Sequence, residues 1–220
     1  GGISGIRMVR VKICGITNLR DAKYAIEYGA DALGFVFAPS VRRITPEKAR
    51  RIVRSLGPFV NCVGVFVNED LRVIRETGRY CGLDTVQLHG NEPPEDVEAL
   101  KRDYRVVKAL RMRGRGALNL LSCYRASAFL LDTYEKGRMG GTGRAVPSMW
   151  KVARIAGERG SVPIILAGGL NPGNVREAVE AANPFAVDVS SGVECSPGKK
   201  DKRLIREFIR AAKDVTESSR

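Results

Sequence analysis

The sequence predicts an α/β fold consisting of a single (β/α)8 barrel, and two features of its pattern support this. Short apolar segments alternate with longer amphipathic segments eight times along the 220 residues, as in parallel sheets whose strands are joined by helices. The segments "FVNCVGVFV" and "VPIILAGG" are almost continuously apolar, which is typical of strands buried on both faces. An open doubly wound sheet gives similar local patterns, but eight regular units in so short a chain favour closure into a barrel.

The elements follow from these periodicities in chain order. The predicted strands are residues 9–14, 31–37, 60–67, 85–88, 105–110, 128–131, 163–167 and 186–189. The helices that follow them are residues 19–28, 46–56, 69–79, 94–102, 117–124, 147–158, 172–182 and 202–213. The second helix has a clear start signal, because Thr45 suits the N-cap and Pro46 suits the first helical position.

The chain reads as one catalytic domain. Residues 1–8 are Gly-rich and are predicted to be a flexible leader, while residues 9–220 form the barrel. No apolar run reaches the ~18–20 residues that a membrane-spanning helix needs. The five cysteines are widely spaced and odd in number, so neither a disulfide framework nor a zinc site is indicated. A cytoplasmic location fits this cysteine usage best.

The net charge of +13 raises the alternative of a nucleic-acid-binding protein. The basic residues are scattered, however, and no RNA-binding aromatic signature or zinc-finger spacing accompanies them. We therefore predict no nucleic-acid partner and interpret the charge as a solvated positive surface that attracts small anions. Tight, salt-dependent binding to DNA or RNA would favour the alternative.

In such barrels the chemistry lies at the carboxyl ends of the strands. Polar or reactive residues follow six of the eight predicted strands. They are Cys14, Arg42, Arg43, Gln87, His89, Asp132, Gly168, Gly169, Asp188, Ser190, Ser191 and Gly192. The clustering of such groups at one end of the strands predicts an active site there.

The segments after the last two strands predict a phosphate site. Gly168-Gly169 and Ser190-Ser191-Gly192 follow the seventh and eighth strands, which is where barrels commonly bind phosphate. Glycines allow the backbone to approach an anion, and free amide groups and serine hydroxyls can then hold it.

Cys14 and Asp132 are the candidate acid–base groups. A thiolate at the end of the first strand could act as a base if nearby positive charge lowers its pKa. Asp132 closes the run "AFLLD", and partial burial would favour its protonated form as a general acid. The alternative interpretations are a small buried hydrophobe for Cys14 and a loop cap for Asp132.

The remaining candidates are less specific. His89 is the only histidine, so a metal site is not predicted; the ring either contacts substrate or packs. Arg42 or Arg43 could bind a carboxylate through a bidentate contact. The segment "GGTGR" at residues 140–144 lacks the spacing of a P-loop, and a mobile active-site loop is the better interpretation.

Several segments resemble the motifs of one enzyme family. "VKICGIT" at residues 11–17 closely resembles the opening motif of phosphoribosylanthranilate isomerases. The other similar segments are "GADALGFVF" at 29–37, "VGVFVN" at 63–68, "VQLHG" at 86–90, "LLD" at 130–132, "GGTG" at 140–143, "AGGLNPGNV" at 167–175 and "FAVDVSSGVE" at 185–194. The likeness runs from Val9 to about Ala212, in the family's order.

The resemblance implies an Amadori rearrangement of a phosphosugar in tryptophan biosynthesis, without a metal or organic cofactor. It implies Cys14 as general base and Asp132 as general acid. It further implies contacts to substrate from Arg42, Gln87, His89 and Asp188, and to its phosphate from Gly168, Gly169, Ser190, Ser191 and Gly192. Val41 and Arg43 depart from the common pattern beside Arg42, and whether the protein is a monomer or a homodimer stays open.

One related activity competes with this assignment. The ProFAR isomerases of histidine biosynthesis resemble this family at the phosphate loops, but they use an aspartate at the end of the first strand. Cys14 occupies that position here and argues against the alternative.

Overall fold

A computed structural model describes residues 8–111, 117–132, 147–160 and 162–214 of the chain. Its eight strands pair in parallel and close into a barrel in the order β1 to β8. The strands are β1 (Arg10–Cys14), β2 (Ala32–Val36), β3 (Asn61–Phe66), β4 (Thr85–Leu88), β5 (Arg105–Arg111), β6 (Ala128–Asp132), β7 (Ile164–Ala167) and β8 (Ala186–Val189). The predicted (β/α)8 barrel is confirmed.

In the described residues, one α-helix follows each strand of the barrel and packs on its outside. The helices are α1 (Leu19–Glu27), α2 (Pro46–Arg54), α3 (Leu71–Cys81), α4 (Pro94–Leu100), α5 (Ala117–Leu121), α6 (Pro147–Arg159), α7 (Val175–Ala182) and α8 (Lys202–Lys213). A 3₁₀ turn (Ser191–Val193) and a small antiparallel pair, β9 (Glu194–Ser196) and β10 (Lys199–Lys200), separate β8 from α8. The sequence did not predict these last three elements.

Two helix starts were predicted too early, and capping explains both differences. Helix α3 begins at Leu71 because the carboxylate of Asp70 accepts the backbone N–H of Arg72 at 2.7 Å, which fixes Asp70 as the N-cap. Helix α7 begins at Val175 because Asn171 accepts the N–H of Gly173 at 2.8 Å and holds that segment in a turn.

Most of the hydrophobic core lies between the strands and the outer helices. The apolar residues inside the barrel are fewer and mostly small, for example Ala109, Ala128 and Ala167. Polar side chains fill part of the interior as well. Lys12, Gln87 and Asp188 are only 5%, 1% and 8% exposed. Burying such groups is costly unless they are paired, so their mutual contacts determine how the interior is organised.

The leader and the loop predicted at residues 140–144 lie outside the described residues, except for Met8. Within the described ranges, no helix combines the length and apolar character needed to cross a membrane.

A buried ion pair anchors the loop after β4. Lys108 Nζ lies 2.6 Å from Glu92 Oε2 and 2.8 Å from the carbonyl oxygen of Gly90. Glu92 also accepts the backbone N–H groups of Asn68 and Gly90. Burial favours the neutral carboxyl group, but these hydrogen bonds outweigh burial and lower the pKa of Glu92. The loop that carries His89 is therefore tied to the barrel wall.

Replacing Lys108 with Met is expected to lower the free energy of unfolding by about 3 kcal/mol, because it leaves a buried carboxylate without its cation. Glu92 still accepts the backbone N–H groups of Asn68 and Gly90, so the loss should lie near the low end of the range for breaking a buried ion pair. The matched control Lys101→Met removes a pair that spans 3.8 Å at the surface and should cost at most about 1 kcal/mol. Urea denaturation measures both variants.

The same pair makes a prediction about acid. Because the pKa of Glu92 is lowered in the folded protein, its stabilising effect is complete above the pKa of the unfolded chain. It is lost as the pH falls through the depressed folded value. Over this pH range, the free energy of unfolding of wild type should fall more than that of Lys108→Met. Equal acid sensitivity of the two proteins would contradict the assignment.

Candidate active site

A cavity of about 460 Å³ opens at the carboxyl ends of the strands. Nearly all the predicted site residues contribute to its wall. They are Cys14, Arg42, Gln87, His89, Asp132, Gly168, Gly169, Asp188, Ser190 and Ser191. Gly192 is not part of this wall. Residues far apart in sequence thus meet in one concave site, as expected for a barrel of this type.

Cys14 ends β1 and is buried in the cavity wall. Its neighbour in β2 is Gly34, where a β-carbon would lie only 2.7 Å from the sulfur. Glycine at this position therefore leaves room for the thiol.

Burial is the largest influence on the Cys14 thiol and raises its pKa above the usual value. Lys12 and Lys200 act in the opposite direction, whereas Asp188 raises the pKa further. The two ammonium groups therefore do not lower this pKa below normal. They limit how far burial raises it.

Lys12 lies in the barrel interior, two residues before Cys14. Its ammonium group donates to Gln87 Oε1 and to Asp188 Oδ1, both at 2.9 Å. Burial alone would lower the pKa of Lys12, but the negative charge of Asp188 and the proximity of Cys14 outweigh it and raise the pKa. Lys12 is therefore a fixed buried cation between β1, β4 and β8.

Gln87 and His89 extend these contacts toward Asp132. Gln87 Nε2 lies 2.9 Å from His89 Nδ1, and His89 Nε2 lies 3.7 Å from Asp132 Oδ2. The imidazole thus lies between the side-chain amide of Gln87, on β4, and the carboxyl group of Asp132, at the end of β6. His89 and Asp132 are both partly exposed to the cavity.

Arg42 is held by a carboxylate that the sequence analysis did not consider. Its Nε and Nη2 atoms donate to Glu194 at 2.8 and 2.7 Å. Glu194 also accepts from Lys200 Nζ at 2.9 Å, and Lys200 donates to the carbonyl oxygen of Ser190 at 3.0 Å. Arg43, in contrast, is exposed and lies outside the cavity wall. Of these two arginines, only Arg42 lines the cavity.

The segments after β7 and β8 form the other end of the cavity. Gly168 and Gly169 both have positive φ angles, 93° and 67°, which most other residues adopt only with strain. The hydroxyl oxygen of Ser190 is buried and has no hydrogen-bond partner among the described residues. An unsatisfied buried hydroxyl in a cavity wall is suited to binding a polar ligand group.

Gly192 has a packing role that the sequence did not reveal. A β-carbon at this position would overlap the carbonyl oxygen of Leu170. The absence of a side chain therefore allows the segment after β8 to pack against the segment after β7.

Sequence reasoning missed three charged residues of this site, Lys12, Glu194 and Lys200. The alternation of strand residues could have identified Lys12, because it shares the inward face of β1 with Cys14. No local signal marks Lys200, which is buried by the unpredicted β9–β10 pair. Among the described parts of the chain, no cluster of three or more metal-binding side chains occurs.

Comparison with known proteins agrees with this geometry. The family described as "N-(5'phosphoribosyl)anthranilate (PRA) isomerase" matches residues 11–211. Two relatives are named N-(5'-phosphoribosyl)anthranilate isomerase. The one from Pelobacter propionicus is 53% identical over 96% of this chain and 99% of its own length. The one from Geobacter metallireducens is 54% identical over 94% of this chain and 100% of its own length.

Solved structures give the same result. The phosphoribosyl anthranilate isomerase of Thermotoga maritima superimposes with a TM-score of 0.85 at 48% identity, over 94% of this chain and 99% of that chain. A further structure of phosphoribosyl anthranilate isomerase, in complex with reduced 1-(o-carboxyphenylamino)-1-deoxyribulose 5-phosphate, gives a TM-score of 0.84 at 47% identity, with the same coverage. The chain belongs to the N-(5'-phosphoribosyl)anthranilate isomerase family.

Proposed function

We propose that this enzyme converts N-(5'-phosphoribosyl)anthranilate into 1-(2-carboxyphenylamino)-1-deoxyribulose 5-phosphate, a step of tryptophan biosynthesis. The observation that carries the proposal is that Cys14 and Asp132, from β1 and β6, line one cavity. A thiol and a carboxyl group on different sides of a pentose can supply the base and the acid that the rearrangement needs. The family membership supports the substrate.

In the proposed mechanism, Asp132 acts first as general acid. Its carboxyl proton goes to the furanose ring oxygen while the bond from that oxygen to C1' breaks, and the anilino nitrogen forms a Schiff base with C1'. The thiolate of Cys14 then removes the proton from C2', which gives an enolamine. The proton of the 2'-hydroxyl of the enolamine moves to C1', which leaves a ketone at C2'. Proton exchange with solvent returns Cys14 to the thiolate and Asp132 to the acid, so the overall reaction is an isomerisation.

The rest of the cavity wall would hold the ends of the substrate. The unpartnered hydroxyl of Ser190, together with Ser191 and the backbone at Gly168 and Gly169, supports phosphate binding there; Gly192 also remains a predicted phosphate ligand. Asp188 would accept hydrogen bonds from sugar hydroxyls.

Arg42 would bind the anthranilate carboxylate. Because Nε and one N–H of Nη2 already donate to Glu194, this contact would use Nη1 and the second N–H of Nη2. Gln87 and His89 would lie beside the pentose, next to Asp132.

The fluorescence of phosphoribosylanthranilate allows a direct test with the purified protein. We expect the fluorescence to disappear on adding enzyme and the product to be the carboxyphenylamino deoxyribulose phosphate. The aminophosphoribosyl intermediate of histidine biosynthesis should not react. Turnover of the histidine intermediate without turnover of the anthranilate compound would overturn the proposal.

Replacing Cys14 with Ala, or Asp132 with Asn, should each lower kcat at least ~10²-fold, because each removes one acid–base group. Cys123→Ala is the matched control, since Cys123 is an exposed cysteine outside the cavity and its loss should leave kcat unchanged. Initial rates in the fluorescence assay measure all three variants. Near-normal turnover of the Cys14 variant would rule out that residue as the base.

The charge around Cys14 predicts how activity depends on pH. A base must be deprotonated, and burial raises the pKa of Cys14, so kcat/KM of wild type should still rise with pH beyond the ordinary thiol range. Lys200 lowers the pKa of Cys14. Lys200→Met should therefore move the ascending limb of the profile to higher pH.

Lys199→Met is the control, because Lys199 is exposed and adjacent in sequence and its loss should leave the profile in place. Glu194 keeps its partner Arg42 in the Lys200 variant, so the variant retains a paired carboxylate. A shift of the limb to lower pH would show that the electrostatic assignment is wrong.

A further inference from the structure

The buried ammonium group of Lys12 determines the orientation of the Gln87 side chain. An ammonium group has three hydrogen-bond donors and no acceptor. Only the carbonyl oxygen of an amide can therefore face Lys12 Nζ, and Gln87 Oε1 does so at 2.9 Å. Because Gln87 is 1% exposed, reversing the amide would bury an NH2 group against a cation.

The orientation of Gln87 in turn determines which nitrogen of His89 carries a proton. The NH2 group of Gln87, which has no acceptor, lies 2.9 Å from His89 Nδ1. Nδ1 must then accept this hydrogen bond, so it has no proton. In the neutral ring the proton is on Nε2, the atom that lies 3.7 Å from Asp132 Oδ2.

We propose that Lys12 and Gln87 are positioning residues that hold His89 as the Nε2–H tautomer, so that the imidazole cannot take the proton that Asp132 delivers to the substrate. The role of Asp132 in this statement rests on the proposed function. The tautomer itself follows from hydrogen-bond donors and acceptors alone and can be measured without substrate.

The tautomer matters because the two forms of the ring act oppositely on a carboxylic acid. With a lone pair on Nε2, the ring would accept the proton of Asp132 and form an ion pair, which would remove the acid. With a proton on Nε2, the ring presents a donor to Oδ2.

The ammonium group of Lys12 therefore affects both proposed acid–base residues, Asp132 and Cys14. Lys12 orients Gln87, which in turn orients the His89 ring beside Asp132. Lys12 also acts directly on Cys14, whose pKa it lowers against the effect of burial. Asp188 Oδ1 also lies 2.9 Å from the ammonium nitrogen of Lys12. Lys12 is not part of the cavity wall and acts through its neighbours.

The single histidine makes the proposal measurable. Since His89 is the only histidine in the chain, selective ¹⁵N labelling gives one pair of imidazole nitrogen signals. We expect wild type, on the alkaline plateau of a pH series, to show a protonated Nε2 and an unprotonated Nδ1. In Gln87→Glu the carboxylate accepts from both Lys12 and the ring, so we expect Nδ1 to become the protonated nitrogen.

We expect kcat to fall when the tautomer of His89 changes. In Gln87→Glu, kcat should fall at least ~10-fold, below the full effect of losing an acid–base group, and Gln87→Met should give averaged nitrogen signals because nothing then selects one tautomer. Asn119→Asp adds the same charge at an exposed site on α5 and should change neither measurement. Circular dichroism checks that each variant folds.

Two outcomes would overturn the proposal. One is a wild-type ring with its proton on Nδ1, or a Gln87→Glu ring that keeps the wild-type tautomer. The other is a switched tautomer with unchanged kcat. If wild type has no isomerase activity at all, the proposed function fails, whereas the nitrogen signals still decide whether Gln87 sets the tautomer.

Discussion

The site depends on one buried cation, the ammonium group of Lys12 inside the barrel. Its hydrogen bonds to Asp188 and Gln87, each 2.9 Å long, join β1 to β8 and β4. Lys12 and Asp188 are 176 residues apart in sequence, and they are neighbours only because β1 and β8 close the barrel with these two residues in register. The pairing of β1 with β8 therefore both closes the barrel and brings Lys12 and Asp188 together.

Much of the site could be predicted from the sequence because (β/α)8 barrels carry their functional residues at the carboxyl ends of the strands. Once eight strands are recognised, the carboxyl ends of those strands identify Cys14, Asp132 and the two glycine- and serine-rich segments together, and all of these segments contribute to one cavity. The helix starts at Leu71 and Val175 were not predicted, because they depend on side-chain caps and turns that periodicity does not report.

The rest of the site could not be predicted because it depends on burial and long-range pairing. Glu194 and Lys200 are polar residues in a segment that reads as a loop, yet Lys200 is buried and Glu194 binds both Lys200 and Arg42. The pKa of Cys14 depends on the same factors. The sequence analysis allowed for nearby positive charge, but only the structure identifies Lys12 and Lys200 and shows that burial outweighs them.

The pH dependence of alkylation at Cys14, followed by peptide mass spectrometry in wild type and in Lys12→Met, tests the central role of this cation most directly. Alkylating reagents react with the thiolate, and Cys123, exposed and outside the cavity, is the reference within each sample. The account predicts a wild-type midpoint above the ordinary thiol value, and a still higher midpoint without Lys12. An unchanged or lower midpoint in the variant would contradict it.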